Sequence, residues 1–473
     1  MTGRDHRNDP NDPNDPNDPN AFPGGGLNPM GPRLPVDDHL GTILKAVESR
    51  GACVVVAETG AGKTTRVPPA LVEPGAPQVD GASKREVVVC EPRRLAARLA
   101  ARRVSAECKE PLGKKVGYTV RFDDRSSEST KLRFVTEGVL VRRLLEDPCL
   151  SSVSTVVLDE FHERSLDADL LLATLKRLRE SERPDLRVVV MSATLGAEQV
   201  AAHLEAPVVD VPGRLHPVEI THLAHPDKRP LERQVLSALK GLPLSSEKGD
   251  VLVFLPGAGE IRRALEAVGP LCQATGRDLL PLHGSVSIEE QDRAVTQGPR
   301  PKVLLSTNVA ETSITVPGVT AVVDSGLLRR AEHHPWTGTT RLETRKASQA
   351  SATQRAGRAG RVAPGRCVRL YTRHDHDTRP RAEKPEVLRA DLCGLVLHIR
   401  SRGGEGSSSD RPSQSLRASQ PQRSQDPRTF PFLDPPPADA LDHAEFLLQQ
   451  LGILDESLAV TAVGERVLEL PLH

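Results

Sequence analysis

The chain has 473 residues, which is long enough for two or three domains that each bury a core, and this excludes a single small domain. Lys plus Arg and Asp plus Glu both total 63, so composition predicts no overall attraction to nucleic acid and any basic surface must be local. The seven cysteines form no CxxC pair, and no apolar run reaches the roughly 18 residues of a spanning helix. We therefore expect free thiols and a soluble, cytoplasmic protein.

The N-terminal segment at 1–33 is predicted to be a disordered tail. The triplet NDP repeats from Asn8 to Pro19, and a Gly/Pro-rich stretch follows it. Too few apolar side chains are present to offset the entropy lost on ordering. A calcium site is the alternative for the repeated Asp residues, but the Gly and the distal Glu of an EF-hand loop are missing.

Two series of short apolar runs follow, and each alternates with helical patterns. The first series lies within 34–207, with runs at 52–57, 86–90, 154–160 and 187–194. The second lies within 208–373, with runs at 250–256, 302–307, 320–324 and 367–372. Buried parallel strands between helices explain both series, so the sequence predicts two tandem α/β domains with parallel sheets and flanking helices.

The remaining chain is predicted to be mostly helical, with a disordered insertion at 401–428. This insertion is rich in Ser, Arg and Gln, as expected of a flexible segment. Its arginines could contact a nucleic-acid backbone or could simply be solvated. Helical patterning resumes at 438–451.

A phosphate-binding loop is predicted at 57–65, AETGAGKTT, between an apolar strand and a helical stretch. The spacing matches GxxxxGK[ST], except that Ala57 replaces the first Gly. Gly60 and Gly62 allow backbone N–H groups to turn toward phosphate oxygens, and the helix N-terminus adds positive potential. Lys63 can then reach the β- and γ-phosphates, and the Thr64 hydroxyl can ligate Mg²⁺. The predicted nucleotide-binding residues are Thr59, Gly60, Ala61, Gly62, Lys63, Thr64 and Thr65.

Two carboxylates end the apolar run VVLDEFHE at 156–163. Asp159 would hold Mg²⁺, and Glu160 would share the metal site and deprotonate the attacking water. The alternative is that these acids only favour the start of a helix. A phosphate loop with an acidic pair also fits a GTPase, a kinase or a transporter ATPase.

The segment QRAGRAGR at 354–361 separates these possibilities. On a helix, Gln354, Arg358 and Arg361 would share one face. From a second domain, these side chains could stabilise the charge on a transferring γ-phosphoryl group as arginine fingers do. Catalysis would then require both domains to close on the nucleotide.

In order and spacing, these motifs resemble the DEAH-type branch of superfamily 2 helicases over residues 34–473. The segments that resemble its motifs Ia, Ib, II, III, IV, V and VI are 92–98, 136–140, 159–162, 192–194, 252–261, 306–315 and 354–361. Phe161 in place of the usual Ala, together with FPFLDPPP at 430–437, resembles the bacterial HrpB subgroup.

The resemblance implies two RecA-like P-loop domains at 34–207 and 208–373. They would be followed by a partial winged-helix-like region at 374–452 and by the start of a truncated helical bundle at 453–473. It also implies hydrolysis of ATP or another NTP with Mg²⁺, coupled to 3′-to-5′ movement on single-stranded nucleic acid, RNA more than DNA. A nucleic-acid clamp or fragment without productive unwinding, and a DNA-directed helicase, remain alternatives.

The resemblance also assigns roles to particular residues. The γ-phosphate contacts fall on Gln354, Arg358 and Arg361, and the arginine that stacks on the base falls on Arg103. Val295 stands where relatives have an aromatic residue on the other side of the base, which leaves base recognition open. His162, Ser192 and Thr194 would couple the nucleotide site to the interdomain cleft. Contacts to the strand backbone would come from Arg93, Arg94, Thr136, Thr307 and Asn308.

Overall fold

The computed structural model describes residues 27, 29, 31–58, 60–72, 85–193, 196–213, 216–245, 249–312, 314, 316–334, 339–402 and 425–470. Most of the predicted tail at 1–33 and most of the predicted insertion at 401–428 lie outside these ranges. So do Thr59 and Thr194 of the predicted site. Within the described residues, no helix is both long and apolar enough to cross a membrane.

The first domain is an eight-stranded sheet with helices on its faces. Its strands are β1 (Ala52–Ala57), β2 (Glu86–Glu91), β3 (Val116–Val120), β4 (Asp123–Arg125), β5 (Leu132–Thr136), β6 (Val153–Leu158), β7 (Arg187–Ser192) and β8 (Val208–Val211). Its helices are α1 (Leu40–Arg50), α2 (Lys63–Ala70), α3 (Arg94–Glu107), α4 (Glu137–Glu146), α5 (Leu166–Glu180) and α6 (Ala197–Leu204). The strand order is β4-β3-β5-β2-β6-β7-β1-β8, and only the β3–β4 pair is antiparallel.

The central strands of this sheet are buried on both faces, which is why they are continuous apolar runs in the sequence. At the edge, β8 pairs with β1 through Val54 and Val208 and through Ala57 and Val211. The first domain therefore extends beyond the predicted boundary at 207. The apolar runs of the sequence do not mark β8, because it is a short edge strand that buries only two of its four residues.

The second domain is a six-stranded sheet with a separate hairpin. Its strands are β9 (Val218–Leu223), β10 (Asp250–Phe254), β11 (Asp278–Leu282), β12 (Lys302–Ser306), β13 (Val319–Asp324), β14 (Leu327–His334), β15 (Thr339–Lys346) and β16 (Gly365–Thr372). Its helices are α7 (Leu231–Lys240), α8 (Ala258–Ala274), α9 (Ile288–Val295), α10 (Gln349–Gly357) and α11 (Arg373–Asp377). The sheet is parallel in the order β11-β12-β10-β13-β16-β9, and β14 pairs with β15 antiparallel.

A third region, at 378–402 and 425–470, packs on the first domain. It contains α12 (Cys393–Ser401), α13 (Ala438–Gln450) and α14 (Ala462–Glu469), with an antiparallel bridge between Leu454 and Val460. Its core includes Leu170 and Ala173 of α5, so this region is attached directly to the first domain. Residues 453–470, for which a separate bundle is expected, contribute Leu454 to the same core.

Candidate nucleotide site and strand-binding edge

The phosphate loop lies between β1 and α2, as predicted. Gly60 and Gly62 have φ of 99° and 94°, a left-handed conformation that glycine adopts without steric cost. A Cβ atom at Gly62 would also lie 2.7 Å from Leu34 Cδ1. Ala57 is the last residue of β1 and pairs with Val211 in a regular strand. The departure from the glycine pattern at position 57 therefore falls where an alanine fits.

The acidic pair, Asp159 and Glu160, contacts the phosphate loop at the carboxyl edge of the sheet. Lys63 Nζ donates to Glu160 Oε1 at 3.2 Å, and the Thr64 hydroxyl donates to Asp159 Oδ2. Asp159 Oδ1 accepts from the backbone N–H of Glu160 at 2.7 Å. Since both carboxylates contact the phosphate loop, the geometry favours the metal-and-base interpretation over a role limited to starting a helix.

A third buried carboxylate, Glu91, ends β2 beside the acidic pair, and sequence reasoning missed it. Burial raises the pKa of Glu91, and the charges of Asp159 and Glu160 raise it further. Burial and Glu160 likewise raise the pKa of Asp159. Burial also acts to raise the pKa of Glu160, but the charge of Lys63 and its hydrogen bond to this carboxylate outweigh burial and lower that pKa. Glu91 could have been found as a carboxylate at the carboxyl end of a buried strand.

This excess of buried negative charge fits a bound divalent cation. Among the described residues, no three His, Cys, Asp or Glu side chains are arranged to hold a metal. Thr64 and Asp159 contact each other beside the phosphate loop, and they would be direct ligands alongside water and phosphate oxygens, a ligand set that Mg²⁺ accepts.

The arginines at 354–361 do not share one α-helical face, because α10 ends at Gly357 and Arg358–Gly360 forms a 3-10 turn. Gln354 remains on α10, half-buried. Arg358 is buried, and its guanidinium donates to the carbonyls of Glu311 at 2.8 Å, Ile314 at 2.6 Å and Thr312. The glycines at 357 and 360 explain why a regular helix stops here.

Arg361 lies against the phosphate loop of the other domain. A Cβ atom placed on Gly60 would be 3.9 Å from Arg361 Nε. Burial lowers the pKa of Arg361 to about 10, although Glu160 opposes the shift. Burial and then Arg361 lower the pKa of Arg358. Two neighbouring guanidinium groups in a desolvated cleft are suited to an anion such as a phosphate group.

His162 connects the acidic pair to the segment after β7. Its Nδ1 accepts from the backbone N–H of Ala193 at 3.3 Å and lies 3.4 Å from Glu160 Oε2. Burial lowers the pKa of His162, and an Nδ1 that accepts requires the neutral ring with its proton on Nε2. Ser192 ends β7 and is buried. Both placements fit the coupling role expected of these residues.

The predicted strand contacts cluster at the carboxyl ends of strands. Arg93 and Arg94 follow β2, and Thr136 ends the neighbouring β5, where it pairs with Glu91. Arg94 is exposed. In the second domain, Thr307 and Asn308 follow β12 and are half-buried.

Arg93 is engaged within the protein. Its Nη2 donates to Glu163 Oε2 at 2.9 Å, and the Thr312 hydroxyl of the second domain donates to Glu163 Oε1. Glu163 therefore bridges the two domains three residues after Glu160.

The residues expected around the base lie on α3 of the first domain and at the end of α9 of the second domain. Arg103 is 66% exposed and pairs with Glu107, which also accepts from Arg66 Nη1 at 2.9 Å. Arg103 therefore lies next to α2, the helix that follows the phosphate loop, with Glu107 between them. Val295 is packed against the core of the second domain.

An exposed aromatic residue, Phe122, was not predicted as part of a site. It is 86% exposed at the tip of the β3–β4 hairpin, with φ of 68°. Arg121 Cζ lies 4.9 Å from the centre of its ring. An aromatic side chain held at a hairpin tip in a chain with 2% aromatic residues is a candidate stacking platform.

Two family models match the chain: "DEAD/DEAH box helicase" over residues 40–202 and "Helicase conserved C-terminal domain" over residues 233–363. The chain belongs to the DEAD/DEAH box helicases. The chain is 40% identical to the ATP-dependent RNA helicase HrpB of Escherichia coli (strain K12), over 92% of this chain and 51% of HrpB. It is 37% identical to the probable ATP-dependent RNA helicase DHX34 of Mus musculus, over 93% of this chain and 37% of that protein.

Solved structures agree with this assignment. The crystal structure of the Escherichia coli DEAH/RHA helicase HrpB matches with a TM-score of 0.80 and 38% identity, over 92% of this chain and 52% of that one. A crystal structure of the Escherichia coli DExH-box NTPase HrpB matches with a TM-score of 0.75, 38% identity, and 93% and 51% coverage. The predicted resemblance to HrpB and the two tandem RecA-like domains are confirmed. The chain spans about half the length of HrpB and 37% of DHX34.

Proposed function

We propose that this chain hydrolyses ATP with Mg²⁺ and couples turnover to 3′-to-5′ movement along single-stranded RNA. One observation carries the proposal: Lys63 and Thr64 of the phosphate loop contact Glu160 and Asp159, while Arg361 of the second domain approaches Gly60. The groups that phosphoryl transfer requires thus meet only where the two domains meet.

The roles follow from position and charge. The loop amides and Lys63 would hold the phosphates, and Glu160 would accept the proton of the attacking water. The lowered pKa of Glu160 keeps this carboxylate ionised at neutral pH, as a base must be. Arg361 would neutralise charge developing on the transferred group. When bound, Mg²⁺ would be held by Thr64 and Asp159 and would offset the charge of the phosphate oxygens.

Coupling to the strand is supported by Glu163. This residue lies in the turn that follows Glu160 and contacts both Arg93 and Thr312. A change in domain closure would alter these contacts and so the position of the predicted strand-binding residues. The two relatives named as RNA helicases favour RNA as the strand. The predicted cytoplasmic location stays a prediction.

ATP turnover by the purified chain, with and without single-stranded RNA, tests the proposal. RNA should stimulate turnover, and Glu160→Gln should lower it by about a hundredfold or more while nucleotide binding persists, because only the base is removed. Single-stranded DNA of the same base sequence is the matched comparison, since contacts to the 2′-OH would distinguish the two strands. Turnover that persists in Glu160→Gln would contradict the assigned base.

Strand separation is a further step that ATP turnover does not test. The chain spans about half of HrpB, so a clamp that hydrolyses ATP without unwinding is the second candidate function. Displacement of a labelled strand from an RNA duplex with a 3′ overhang would favour the motor. RNA-stimulated turnover without displacement would favour the clamp.

A further inference from the structure

The turn that leaves the acidic pair has an unusual backbone. Glu160 and Arg164 have φ of 50° and 49°, and the 3-10 helix Phe161–Glu163 lies between them. Residues other than glycine rarely adopt this left-handed backbone conformation, and it persists only where surrounding contacts fix it. The contacts that fix this turn therefore also fix the backbone that carries Glu160.

The side chain of Arg164 makes most of these contacts. Its Nε donates to Asp169 Oδ1 at 2.8 Å, and its Nη2 donates to Asp169 Oδ2 at 3.2 Å and to Asp434 Oδ2 at 2.5 Å. Its Cζ lies 5.6 Å from the centre of the Phe161 ring. Asp169 belongs to α5, whereas Asp434 belongs to the third region. One guanidinium group therefore joins the turn to two different parts of the molecule.

Main-chain contacts reach the same turn from the third region. The carbonyl of Arg164 accepts from the N–H of Glu386 at 3.0 Å, and Glu386 Oε2 accepts from the N–H of Leu166 at 3.0 Å. Leu433, the neighbour of Asp434, packs against the core cluster of the first domain that contains Phe161. The third region thus contacts the turn through both its backbone and its side chains.

We propose that Arg164 and Asp434 are positioning residues, through which the third region sets the turn that carries Glu160. This inference rests on the proposed ATPase activity, in which Glu160 is the base. Arg164 and Asp434 act through the turn, so their pairing affects the rate of the chemical step more than ATP binding.

Asp434→Asn is the primary test, because it keeps the shape of the side chain and leaves Asp169 to pair with Arg164. With saturating poly(U) RNA, we expect kcat for ATP to fall by about threefold to tenfold, while KM for ATP stays within about twofold. Asp434→Glu should restore most of the rate because it keeps the charge. Gln425→Ala is the matched control, since Gln425 of the third region contacts Arg177 on the same helix α5. This control should keep the wild-type kcat.

An equal loss of kcat in Asp434→Asn and Gln425→Ala would overturn the proposal, and so would an unchanged kcat in Asp434→Asn. Hydrogen exchange gives a second reading that does not need turnover. The N–H groups of Glu163 and Arg164 donate to the carbonyls of Glu160 and Phe161. They should exchange faster in Asp434→Asn than in Gln425→Ala. If wild type hydrolysed no ATP, the proposed function would fail, and equal exchange in the two variants would separately reject the positioning role.

Discussion

Arg358 and Arg361 have the same charge and lie in the same turn, but their surroundings differ. Arg361 approaches the phosphate loop, whereas Arg358 donates to three carbonyls of its own domain. Arg361→Ala should lower kcat by about a thousandfold, as expected for an arginine finger, with little change in Tm. Arg358→Ala should also lower stability, by about 3 kcal/mol, because buried carbonyls lose their donors.

ATP turnover and thermal unfolding of both variants check this difference. Arg361→Lys is a useful control, because a lysine keeps the charge but loses the planar donor geometry. Equal loss of stability in Arg358→Ala and Arg361→Ala would contradict the separate roles.

Glu91 is predicted to tune the requirement for Mg²⁺. Burial raises the pKa of this carboxyl, so a bound cation and a proton compete for the site, and higher pH should favour the cation. Glu91→Gln should raise the Mg²⁺ concentration for half-maximal turnover by up to about tenfold at pH 8.5, and by less at pH 6.5.

The control for this prediction lies in the same strand. Glu86 begins β2 and pairs with Arg133 and Arg143, far from the loop. Glu86→Gln should therefore lower Tm without changing the Mg²⁺ requirement. An identical Mg²⁺ dependence in wild type and Glu91→Gln would rule out the tuning role.

Single residues were predictable where the chemistry depends on local spacing. Lys63, Thr64, Asp159 and Glu160 were found because a loop and a strand end each have a short signature, and the structure brings all four together. Glu91 was not found, because it ends its strand as a single carboxylate, without the adjacent acid that marks Asp159 and Glu160 as a pair. The contacts of Arg358 depend on where the α-helix ends, which the spacing of the segment at 354–361 did not predict.

At the scale of elements, predictability followed burial. Strands such as β2 and β10 are buried along their whole length, so their apolar runs identify them. The hairpin strand β15 is almost entirely exposed and carries charges, so it has no such run. Edge strand β9 is likewise poorly buried. A sequence pattern reports the side chains that a strand buries, and these strands bury few.

The β3–β4 hairpin gives a prediction about the strand-binding surface. Phe122 is exposed, so Phe122→Ala should leave Tm unchanged. Loss of a stacked base should weaken binding of single-stranded RNA by about tenfold, within the roughly 1–3 kcal/mol expected for each stacking contact. Fluorescence anisotropy with labelled RNA measures this change. Leu342→Ala, at another exposed apolar residue on β15, is the control and should bind RNA as wild type does.

Helix α12 is predicted to make the third region sensitive to acid. Burial, with a smaller effect of Arg402, lowers the pKa of His398 to about 3. Below about pH 6.5, His398 therefore binds a proton in the unfolded chain but not in the folded chain. The contribution of neutral His398 to the free energy of unfolding is fully present above this pH. It falls with acid by about 1.4 kcal/mol per pH unit until the folded-state pKa is reached.

His398→Leu should remove this dependence. The free energy of unfolding of the variant, relative to that of wild type, should therefore rise by about 2 kcal/mol between pH 6.5 and pH 5. Urea unfolding at the two pH values measures the change. His443→Leu is the matched control, because His443 is an exposed histidine on α13 of the same region. A pH dependence that is the same in His398→Leu and wild type would contradict the role of burial.

At the scale of the whole molecule, the arrangement of the domains was not predictable from sequence patterns. Leu95 of α3 belongs to the core cluster of the second domain. Arg98 Nη2 donates to Gln291 Oε1 at 3.0 Å, and Arg102 Nη1 donates to Asp292 Oδ2 at 2.7 Å. These contacts join residues that are about 190 positions apart, and no periodic pattern links them. The sequence motifs implied only that the two domains must meet.

The contacts between α3 and α9 predict how strongly charge controls closure of the domains. Both Arg102 and Asp292 are partly exposed, so their pairing should contribute only about 0.2–1 kcal/mol to the free energy of domain closure. Asp292→Ala should therefore change the closed population by less than about fivefold. Asp292→Arg should open the molecule further, because it places a third positive charge beside Arg98 and Arg102. Fluorescence energy transfer between dyes on the two domains, with RNA and a non-hydrolysable ATP analogue, measures closure. Glu289→Arg makes the same charge change at an exposed residue of α9 and should close as wild type does. Equal opening in the two reversed-charge variants would mean that net charge, and not the pairing of α3 with α9, controls closure.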